Sequence, residues 1–454
     1  MLYCESFRNG VLMKIYTGYK VKILEAGSVL EDTVKLYRRA VSFFINVMLN
    51  RWASDFSFCK NQSEAVRVAE CLCHTTANRP FVEFDFSKDF YKFPSYLRRA
   101  AIAQAFGAVS SYQTRLNLWK KSSRGKCPGL PQVGRVFPAM YRDNMYRRTG
   151  RLTARLKVFI RNTWDWFEIK LRKTDVDYIA RYCSSRKESV PTLRKRGKNW
   201  FLDFAFEEEV ILEKVPIFDQ TVVSVDLGIR NACVCSVMRS DGTILGRRFL
   251  RLAQEQDYLK RAFERIKQAR RFGGQSSKRL WALAKAINDD ISVKTATFII
   301  ETAVLYEADC IVMEKLDFNG KKYGQMRKRL HFWRVKYVQT MVERKGHRHK
   351  IRISRVVAKN SSRLAYDGSG FVSRNKKNHS LCVFTNGKCY HSDLSASYNI
   401  GARYFVREII KTLTVTLRQR ITAKVPECVE RSTCTLSSLF KLHAELHSLR
   451  MAKF

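Results

Sequence analysis

Residues 221–230 read Thr-Val-Val-Ser-Val-Asp-Leu-Gly-Ile-Arg, which predicts a strand that ends on a carboxylate, Asp226. Two other acidic residues are set into apolar sequence in the same way. They are Glu314, in Cys-Ile-Val-Met-Glu-Lys-Leu, and Asp393, in Tyr-His-Ser-Asp-Leu-Ser-Ala-Ser-Tyr-Asn-Ile-Gly-Ala-Arg. A carboxylate at the end of a buried strand is costly unless something cationic neutralises it. We therefore expect a cation beside these three residues.

The rest of the chain is strongly basic, with 84 Lys and Arg against 41 Asp and Glu and a formal net charge of +43. Such a balance implies a large polyanionic partner. Carboxylates that bind Mg²⁺ in a basic protein indicate an enzyme that cuts a polyanion, that is, a nuclease. A structural RNA-binding or chromatin protein has a similar charge, but is usually shorter and poorer in aromatic residues.

The length of 454 residues predicts two or three domains, and 45% hydrophobic residues are ample for folded cores. The 13 cysteines are scattered, and the first ten residues lack the apolar segment of a secretory signal. Residues 296–312 are the most apolar stretch, but they include three acidic residues, so we expect no membrane span. These features predict a soluble intracellular protein with free thiols.

In the first half of the chain the predicted secondary structure changes twice, from strand to helix and back to strand. A strand is predicted from Met13 to Leu24, and helices from Leu30 to Leu49 and from Tyr96 to Lys121, within an all-helical insert at 28–122. Short β-rich runs follow within residues 152–206, at a spacing typical of a small barrel.

Aromatic and basic residues alternate just before these runs. Tyr141, Arg142, Tyr146 and Arg147 are candidates for a nucleic-acid-binding face on which bases stack. An amphipathic surface with a few core aromatics would show the same pattern, and both interpretations stay open.

The second half begins with three predicted strands, at 222–225, 233–238 and 243–250. Basic helices lead to a strand at 310–314, a helix at 326–344, a strand at 350–357 and a helix at 397–414. This order predicts an RNase H-type sheet on which Asp226, Glu314 and Asp393 converge. Two Mg²⁺ ions about 4 Å apart could then be held there. Considered alone, each acidic residue also has a purely structural explanation. Asp226 could be a turn residue, Glu314 a strand-end residue in an ion pair, and Asp393 a helix N-cap.

The three segments that contain these carboxylates resemble the motifs of a known protein family. Val-Asp-Leu-Gly-Ile-Arg-Asn, Ile-Val-Met-Glu-Lys-Leu and Asp-Leu-Ser-Ala-Ser-Tyr-Asn-Ile-Gly-Ala-Arg resemble the three RuvC motifs of TnpB proteins and of the related compact type V CRISPR effectors. Their order, Asp, Glu, Asp, differs from that of DDE transposases, which end on Glu. The resemblance implies that Asp226, Glu314 and Asp393 are the metal-binding catalytic residues of an RNA-guided DNA endonuclease. It also implies a cytoplasmic prokaryotic protein that is associated with the nucleoid when bound to DNA.

The resemblance also implies an α/β multidomain architecture: an RNase H-like (RuvC) nuclease domain plus a β-barrel wedge domain with an inserted helical recognition domain. The expected domains are a first wedge strand at 1–27, the recognition domain at 28–122, the barrel at 123–219, the nuclease domain at 220–358, a zinc-finger-like lid at 359–392, and the C-terminal segment of the nuclease domain at 393–454.

The lid departs from the family pattern, in which two Cys-x-x-Cys pairs bind zinc. Ala365 and Gly368 stand at the first pair, and Cys382 at the second is followed by Thr385. With so few thiolates we expect no zinc, and a hairpin held by packing and by Asp367 and Arg374 instead. Ser395 stands where the family often has Asn, so a hydrogen bond near the site is expected to differ.

Other charged residues between the second and third motifs are weaker candidates. Arg363 or Arg374 is expected to place the scissile phosphate. His391 is close enough to Asp393 for a proton shuttle, although a surface or RNA-contacting role is favoured. Basic runs in this region are expected to line a phosphate channel; the residues named for it are Lys321, Lys322, Arg327 and Arg329.

The predicted function is therefore RNA-guided cleavage of double-stranded DNA beside a short flanking motif, by a single RuvC site with Mg²⁺, for which Mn²⁺ can substitute. The expected partner is a guide RNA, bound by a monomer or a homodimer. Asp226 and Asp393 are expected to bridge the metals and Glu314 to bind one. The alternatives are an RNA-guided DNA-binding repressor without cleavage and a guide-independent, transposon-associated nuclease.

Overall fold

The computed structural model describes residues 10–25, 27–122, 125–228, 231–273, 278–316, 334–374 and 380–451. The chain divides into two compact units. The first unit is Tyr16–Glu208, and the second combines Met1–Ile15 with Glu209–Phe454. No helix in the described ranges is both long enough and apolar enough to cross a membrane.

Helices make up the N-terminal portion of the first unit. They bury an apolar stripe, as in α1, where Val34, Tyr37, Val41 and Phe44 are fully covered at helical spacing. The two predicted helices are confirmed, with ends shifted by a few residues at most. The bounds are α1 Ser28–Asn50, a π-helical turn Trp52–Phe56, α2 Gln62–Cys73, α3 Phe86–Asp89 and α4 Ser95–Ser122.

The predicted strands before residue 214 are also present. The described strands form two antiparallel sheets, one in the order β1-β7-β5 with β6 also paired to β7, the other in the order β2-β3-β4. A backbone bridge joins Ile23 to Leu171, and closure of the sheets into a barrel stays a prediction. The bounds are β1 Gly10–Ile23, β2 Tyr146–Arg148, β3 Thr153–Ile160, β4 Thr163–Lys170, β5 Lys187–Glu188, β6 Thr192–Arg196 and β7 Asn199–Glu213.

One helix of the first unit was missed from the sequence. It is α5, Lys173–Cys183, and only Val176, Ile179 and Cys183 are buried on it. So short an apolar stripe inside a charged segment resembles a loop, and packing against the sheet decides its conformation.

The second unit is built on a five-stranded sheet in the order β10-β9-β8-β11-β12. The first three strands are antiparallel, whereas β11 runs parallel to both β8 and β12. The predicted strands are confirmed, and the described portion of the helix predicted at 326–344 begins at residue 335. The bounds are β8 Thr221–Asp226, β9 Cys233–Arg239, β10 Ile244–Leu250, α6 Ala253–Arg271, α7 Lys278–Leu305, β11 Cys310–Lys315, α8 Val335–Arg348 and β12 Arg352–Val357.

Three short strands and three helices complete this unit. The helix predicted at 397–414 begins earlier, at Ser392, because His391 caps it: His391 Nδ1 accepts a hydrogen bond from Leu394 N at 3.4 Å. The small strands pair in the antiparallel order β13-β14-β15. The bounds are β13 Ser373–Arg374, β14 Leu381–Val383, β15 Cys389–His391, α9 Ser392–Thr412, α10 Val415–Lys424, a 3₁₀ turn Pro426–Cys428 and α11 Leu436–Met451.

The two faces of the five-stranded sheet bury different partners. Val223, Val225 and Met313 belong to a cluster with α7 and α8. The alternate residues, such as Val222 and Val312, pack instead with α9. This alternation determines which side chains at the strand ends can meet the start of α9.

Candidate active site

Asp226 and Glu314 lie side by side at the ends of neighbouring parallel strands. Val225 of β8 pairs with Met313 of β11, so the same register, continued by one residue, sets Asp226 opposite Glu314. Neighbouring strands are about 4.8 Å apart, and residues in register point to the same face. Both carboxylates alternate with the side chains that α7 and α8 cover, so they lie on the face covered by α9.

Asp393 reaches the same place from the first turn of α9. Asn231 Nδ2 donates a hydrogen bond to Asp393 Oδ2 at 2.8 Å, and Ser392 Oγ lies 3.2 Å from Oδ1. A Cβ added to Gly228 would lie 3.8 Å from Asp393 Oδ2. Asp393 is therefore beside the chain just two residues after Asp226.

The three carboxylates share one electrostatic environment. Burial raises the pKa of Asp226 well above its ordinary value, and the charges of Glu314 and Asp393 raise it further. The guanidinium of Arg374 acts in the opposite direction. Like charges held this close favour the binding of a cation, as expected from the sequence.

Glu314 is held from several sides. The hydroxyl of Ser361 donates to Glu314 Oε1, and Gln339 Nε2 donates to the Glu314 backbone carbonyl at 2.8 Å. Burial raises the pKa of Glu314, while the Ser361 hydrogen bond and the charge of Arg403 lower it. Ser361 and Arg403 thus favour the ionised carboxylate, the form that can bind a metal.

Arg403 is a buried cation that links three segments around Glu314. Its guanidinium donates to the carbonyls of Val357 and Lys359, at 2.6 and 2.9 Å, and to those of Ser432 and Cys434, at 2.9 and 3.1 Å. Only 4% of Arg403 is exposed. Because its partners among the described residues are neutral carbonyls, the charge of Arg403 is available to Glu314.

Asn399 has a similar role, and it lies a turn before Arg403 on α9. Its Nδ2 donates to the carbonyls of Ser361 and Leu364, at 3.0 and 2.9 Å, and its Oδ1 accepts from Leu436 N at 3.2 Å. The segment that carries Ser361 is therefore attached to the helix that carries Asp393.

The two candidate phosphate-positioning arginines differ. Arg374 is exposed, donates to the Ser362 carbonyl at 2.9 Å and acts electrostatically on Asp226. Arg363 lies with its guanidinium 5.4 Å from the centre of the Phe371 ring. Of these two arginines, Arg374 is thus the one whose charge acts on the Asp226 carboxylate.

Residues 359–392 contain the expected hairpin. Ala365, Cys382 and Phe384 form a small buried cluster. Asp367 accepts hydrogen bonds from Ser369 N, at 3.0 Å, and from Asn386 Nδ2, at 3.1 Å. Packing and these hydrogen bonds hold the hairpin.

His391 caps α9 through Nδ1, and its ring stands edge-on to Phe249 at 5.2 Å. Ser395, two residues after Asp393, is 2% exposed, and its hydroxyl has no hydrogen-bond partner among the described residues. His391 is therefore engaged in shaping the helix start, while Ser395 lacks the hydrogen bond that a longer polar side chain could make.

The candidate base-stacking face in the first unit needs one correction. Tyr146 is 2% exposed and packs edge-on to Phe204 at 5.8 Å, so its ring cannot stack on a base. The alternation of aromatic and basic residues in the sequence did not reveal that Tyr146 points to the core side of β2. Tyr141 is half-buried against Tyr96 at 5.5 Å.

The two arginines of that face remain exposed. Arg142 forms an ion pair with Glu188 at 3.0 Å, and Arg147 lies 5.4 Å from the Trp166 ring centre. The candidates for the phosphate channel, Lys321, Lys322, Arg327 and Arg329, lie outside the described residues.

The donor set suits Mg²⁺, which prefers carboxylate oxygens and water. Asp226, Glu314 and Asp393 are each half-buried, and the Asp226 carboxylate accepts no hydrogen bond from any described residue. Within the described ranges, however, no group of three or more His, Cys, Asp and Glu side chains has a ready metal-binding arrangement.

The model of the Aq_aa04 family matches residues 17–160. No curated protein matches the chain.

Several solved structures are similar over most of the chain. The Cas12f1–sgRNA–target DNA complex is 14% identical, covers 85% of this chain and 98% of its own, and has a TM-score of 0.32. CasPhi-2 (Cas12j) bound to crRNA is 10% identical, with 85% and 97% covered and a TM-score of 0.43. Alicyclobacillus acidoterrestris C2c1 with single-guide RNA is 10% identical, with 83% and 70% covered and a TM-score of 0.42. Similarities at this level are too weak to carry a conclusion about function.

Proposed function

We propose that this chain is an RNA-guided DNA endonuclease with one Mg²⁺-dependent active site at Asp226, Glu314 and Asp393. The observation that carries the proposal is the convergence of these carboxylates, from β8, β11 and the first turn of α9, on one sheet face. A cluster of carboxylates that raises the pKa of Asp226 destabilises the metal-free fold, so a purely structural role does not explain it. Such clusters are instead typical of functional sites.

The carboxylates of Asp226, Glu314 and Asp393 would hold the Mg²⁺. Bound Mg²⁺ would supply Lewis-acid stabilisation of the phosphate and lower the pKa of water. The chain's own residues orient this site. Asn231 holds Asp393, the Ser361 hydrogen bond opposes the rise that burial causes in the Glu314 pKa, and Arg374 is placed to attract the scissile phosphate.

The substrate assignment rests on charge and on the three motifs. A formal charge of +43 fits a chain that covers the phosphates of a guide RNA and of double-stranded DNA. The motif resemblance to TnpB and compact type V effectors favours guided recognition, in which base pairing reads the target and the protein reads a short flanking motif.

The test uses protein co-purified with RNA from cells that carry its native locus. The complex is incubated with Mg²⁺ and a plasmid library in which the sequence flanking the target is randomised. We expect one discrete RNA species and cleavage beside one flanking motif. Asp226→Ala should reduce cleavage by at least about a thousandfold, because it removes a metal ligand. Asp257→Ala, which removes an exposed aspartate of α6, is the matched control and should cleave normally.

Two outcomes would overturn the proposal in different ways. Guided binding without cleavage by the unmodified protein would indicate a repressor. Cleavage that persists after all RNA has been digested would indicate a guide-independent nuclease.

A further inference from the structure

A strongly basic cleft lies in the second unit, between α9, α10 and the loop that follows α10. Its volume is about 250 Å³, and none of the three proposed metal-binding carboxylates lines it. Five cationic side chains line it, and no acidic residue of the described chain does: Arg403, Arg407 and Lys411 from α9, Arg418 from α10 and Arg431 from the loop. The volume is below the usual range of drug-sized ligand sites, so a compact anion suits this cleft.

The three cations of α9 lie on one face of the helix. Arg403, Arg407 and Lys411 follow each other at intervals of four residues, and like charges at this spacing destabilise a helix. Glu408 offsets part of the repulsion, because it pairs with Arg407 at 2.7 Å and with Lys411 at 2.9 Å. One carboxylate does not balance the five cations, so the cleft keeps a positive excess.

The carboxylates of the adjacent loop do not remove this excess. Glu427 pairs with Lys441 at 2.9 Å, and Glu430 accepts a hydrogen bond from Ser432 Oγ at 2.5 Å. Both are therefore engaged with other side chains. Even when they are counted together with Glu408, the cations that line the cleft outnumber the carboxylates around it.

Two of the arginines keep donors that the fold does not use. Arg431 is exposed, and its side chain makes no hydrogen bond or ion pair with a described residue. Arg418 donates with Nε and Nη2 to the Ile410 carbonyl, at 3.3 and 3.1 Å, which leaves Nη1. Every guanidinium nitrogen of Arg403 and Arg407 already donates within the fold, so their main contribution to the cleft is charge.

Apolar side chains complete the wall of the cleft. Val406, Cys428 and Cys434 line it and are buried. A cleft that combines charges of one sign with low-dielectric walls focuses the field and attracts counter-ions. The ligand that fits is therefore a small group with a high density of negative charge.

We propose that this cleft binds the terminal phosphate of a nucleic acid strand. A phosphate monoester carries about 1.5 to 2 negative charges at pH 7, more than the single charge of an internal phosphodiester. Arg431 and Arg418 donate to its oxygens, while Lys411 and the two buried arginines supply charge. The formal charge of +43 on the chain favours a phosphate attached to a polyanion over free phosphate. The proposal does not rest on the nuclease activity.

The test compares three short oligothymidylates that differ only in their ends: one with a 5′-phosphate, one with a 3′-phosphate and one with neither. The full-length chain, freed of nucleic acid at high salt, is titrated with each dye-labelled strand in EDTA, so that no Mg²⁺-dependent cleavage takes place. We expect one of the phosphorylated strands to bind about tenfold more tightly than the unphosphorylated strand, the effect of charge-assisted hydrogen bonds. Inorganic phosphate, added as a competitor, should reduce this preference.

Two substitutions of Thr422 give the sharpest check, because Thr422 lines the cleft from α10 and is half-buried. Thr422→Glu places a carboxylate among the cations and should reduce the preference to about twofold or less. Thr422→Gln introduces a side chain of the same size without the charge and should keep the preference. Arg431→Gln removes an unused donor and should lower the preference by about fivefold.

Arg420→Gln is the control for the loss of one positive charge. Arg420 is exposed on α10 and does not line the cleft, so this variant should keep the full preference. Equal affinities for the phosphorylated and unphosphorylated strands would overturn the proposal. So would an equal preference in Thr422→Glu and Thr422→Gln, or a preference that inorganic phosphate does not reduce. Because the readout is binding without Mg²⁺, these outcomes leave the nuclease proposal untouched.

Discussion

Asp226 and Glu314 occupy matching positions on neighbouring parallel strands, one residue beyond the paired Val225 and Met313. Two carboxylates in register on one sheet face repel each other across about 4.8 Å. The sheet therefore holds them together at a cost, and a cation that binds both would remove that cost.

Replacing Asp226 should stabilise the metal-free protein. The raised pKa means that the folded state holds the Asp226 proton more tightly than the unfolded state, whose value is near 3.8. Stability therefore falls as the pH rises from 3.8 through the folded pKa, by about 1.4 kcal/mol for each pKa unit. Asp226→Asn should raise the melting temperature at pH 8 in EDTA, and the gain should shrink as the pH is lowered toward 4.

Mg²⁺ should raise the melting temperature of the unmodified protein and have little effect on Asp226→Asn. Thermal melts with and without Mg²⁺ check both statements. An equal Mg²⁺-dependent shift in the two proteins would contradict the assignment of Asp226 as a metal ligand.

Ser361→Ala should impair the site without destroying it. Loss of the hydroxyl that donates to Glu314 removes an interaction that lowers the Glu314 pKa. The acid limb of the cleavage rate against pH should move to higher pH, and the rate at pH 7 should fall about five- to tenfold.

Ser395→Ala is the matched comparison, because that buried hydroxyl has no partner among the described residues. It should leave the pH profile in place and raise the free energy of unfolding by about 1 kcal/mol. Identical pH profiles for Ser361→Ala and the unmodified protein would show that Ser361 does not tune Glu314.

Two glycines in helices should respond to alanine with opposite signs. A Cβ at Gly401 of α9 would lie 3.1 Å from both Met238 Sδ and Ser224 Oγ, whereas one at Gly107 of α4 would meet no described atom within 4 Å. Gly401→Ala should lower the free energy of unfolding by about 1–3 kcal/mol through overpacking. Gly107→Ala should raise it by about 0.5–1 kcal/mol. Urea unfolding of both variants measures the difference.

The acid stability of the first unit should depend on His74. Burial, and then the charge of Arg98, lower the His74 pKa below 6.5, and its Nδ1 is buried without a partner in the described chain. The contribution of neutral His74 is complete above pH 6.5 and is lost as the pH falls through the folded pKa. Replacing His74 should remove this loss.

Urea unfolding midpoints at pH 8 and pH 5.5 test this. The decrease between the two values should be smaller for His74→Leu than for the unmodified protein. His447→Leu, a substitution of an exposed histidine, should show the full decrease. Equal decreases in all three proteins would contradict the role of His74.

Local patterns were enough to predict much of the fold. The strands of the five-stranded sheet, the long helices α1 and α4, and the placement of Asp226, Glu314 and Asp393 at element ends all follow from apolar periodicity. The reason is that burial of one face imposes a period on nearby residues, which the sequence displays directly.

Tertiary structure decided what surrounds those carboxylates. Asn231 reaches Asp393 across 162 residues and Ser361 reaches Glu314 across 47. Tyr146 is turned to the core, although Arg147 and Arg148 after it are exposed. The sequence alone determined which residues carry the charge and the strand or helix on which each one lies. The choice of hydrogen-bond partners depended on the packing of distant segments, because the positions of polar residues in the sequence show no periodicity from which their hydrogen-bond partners could be predicted.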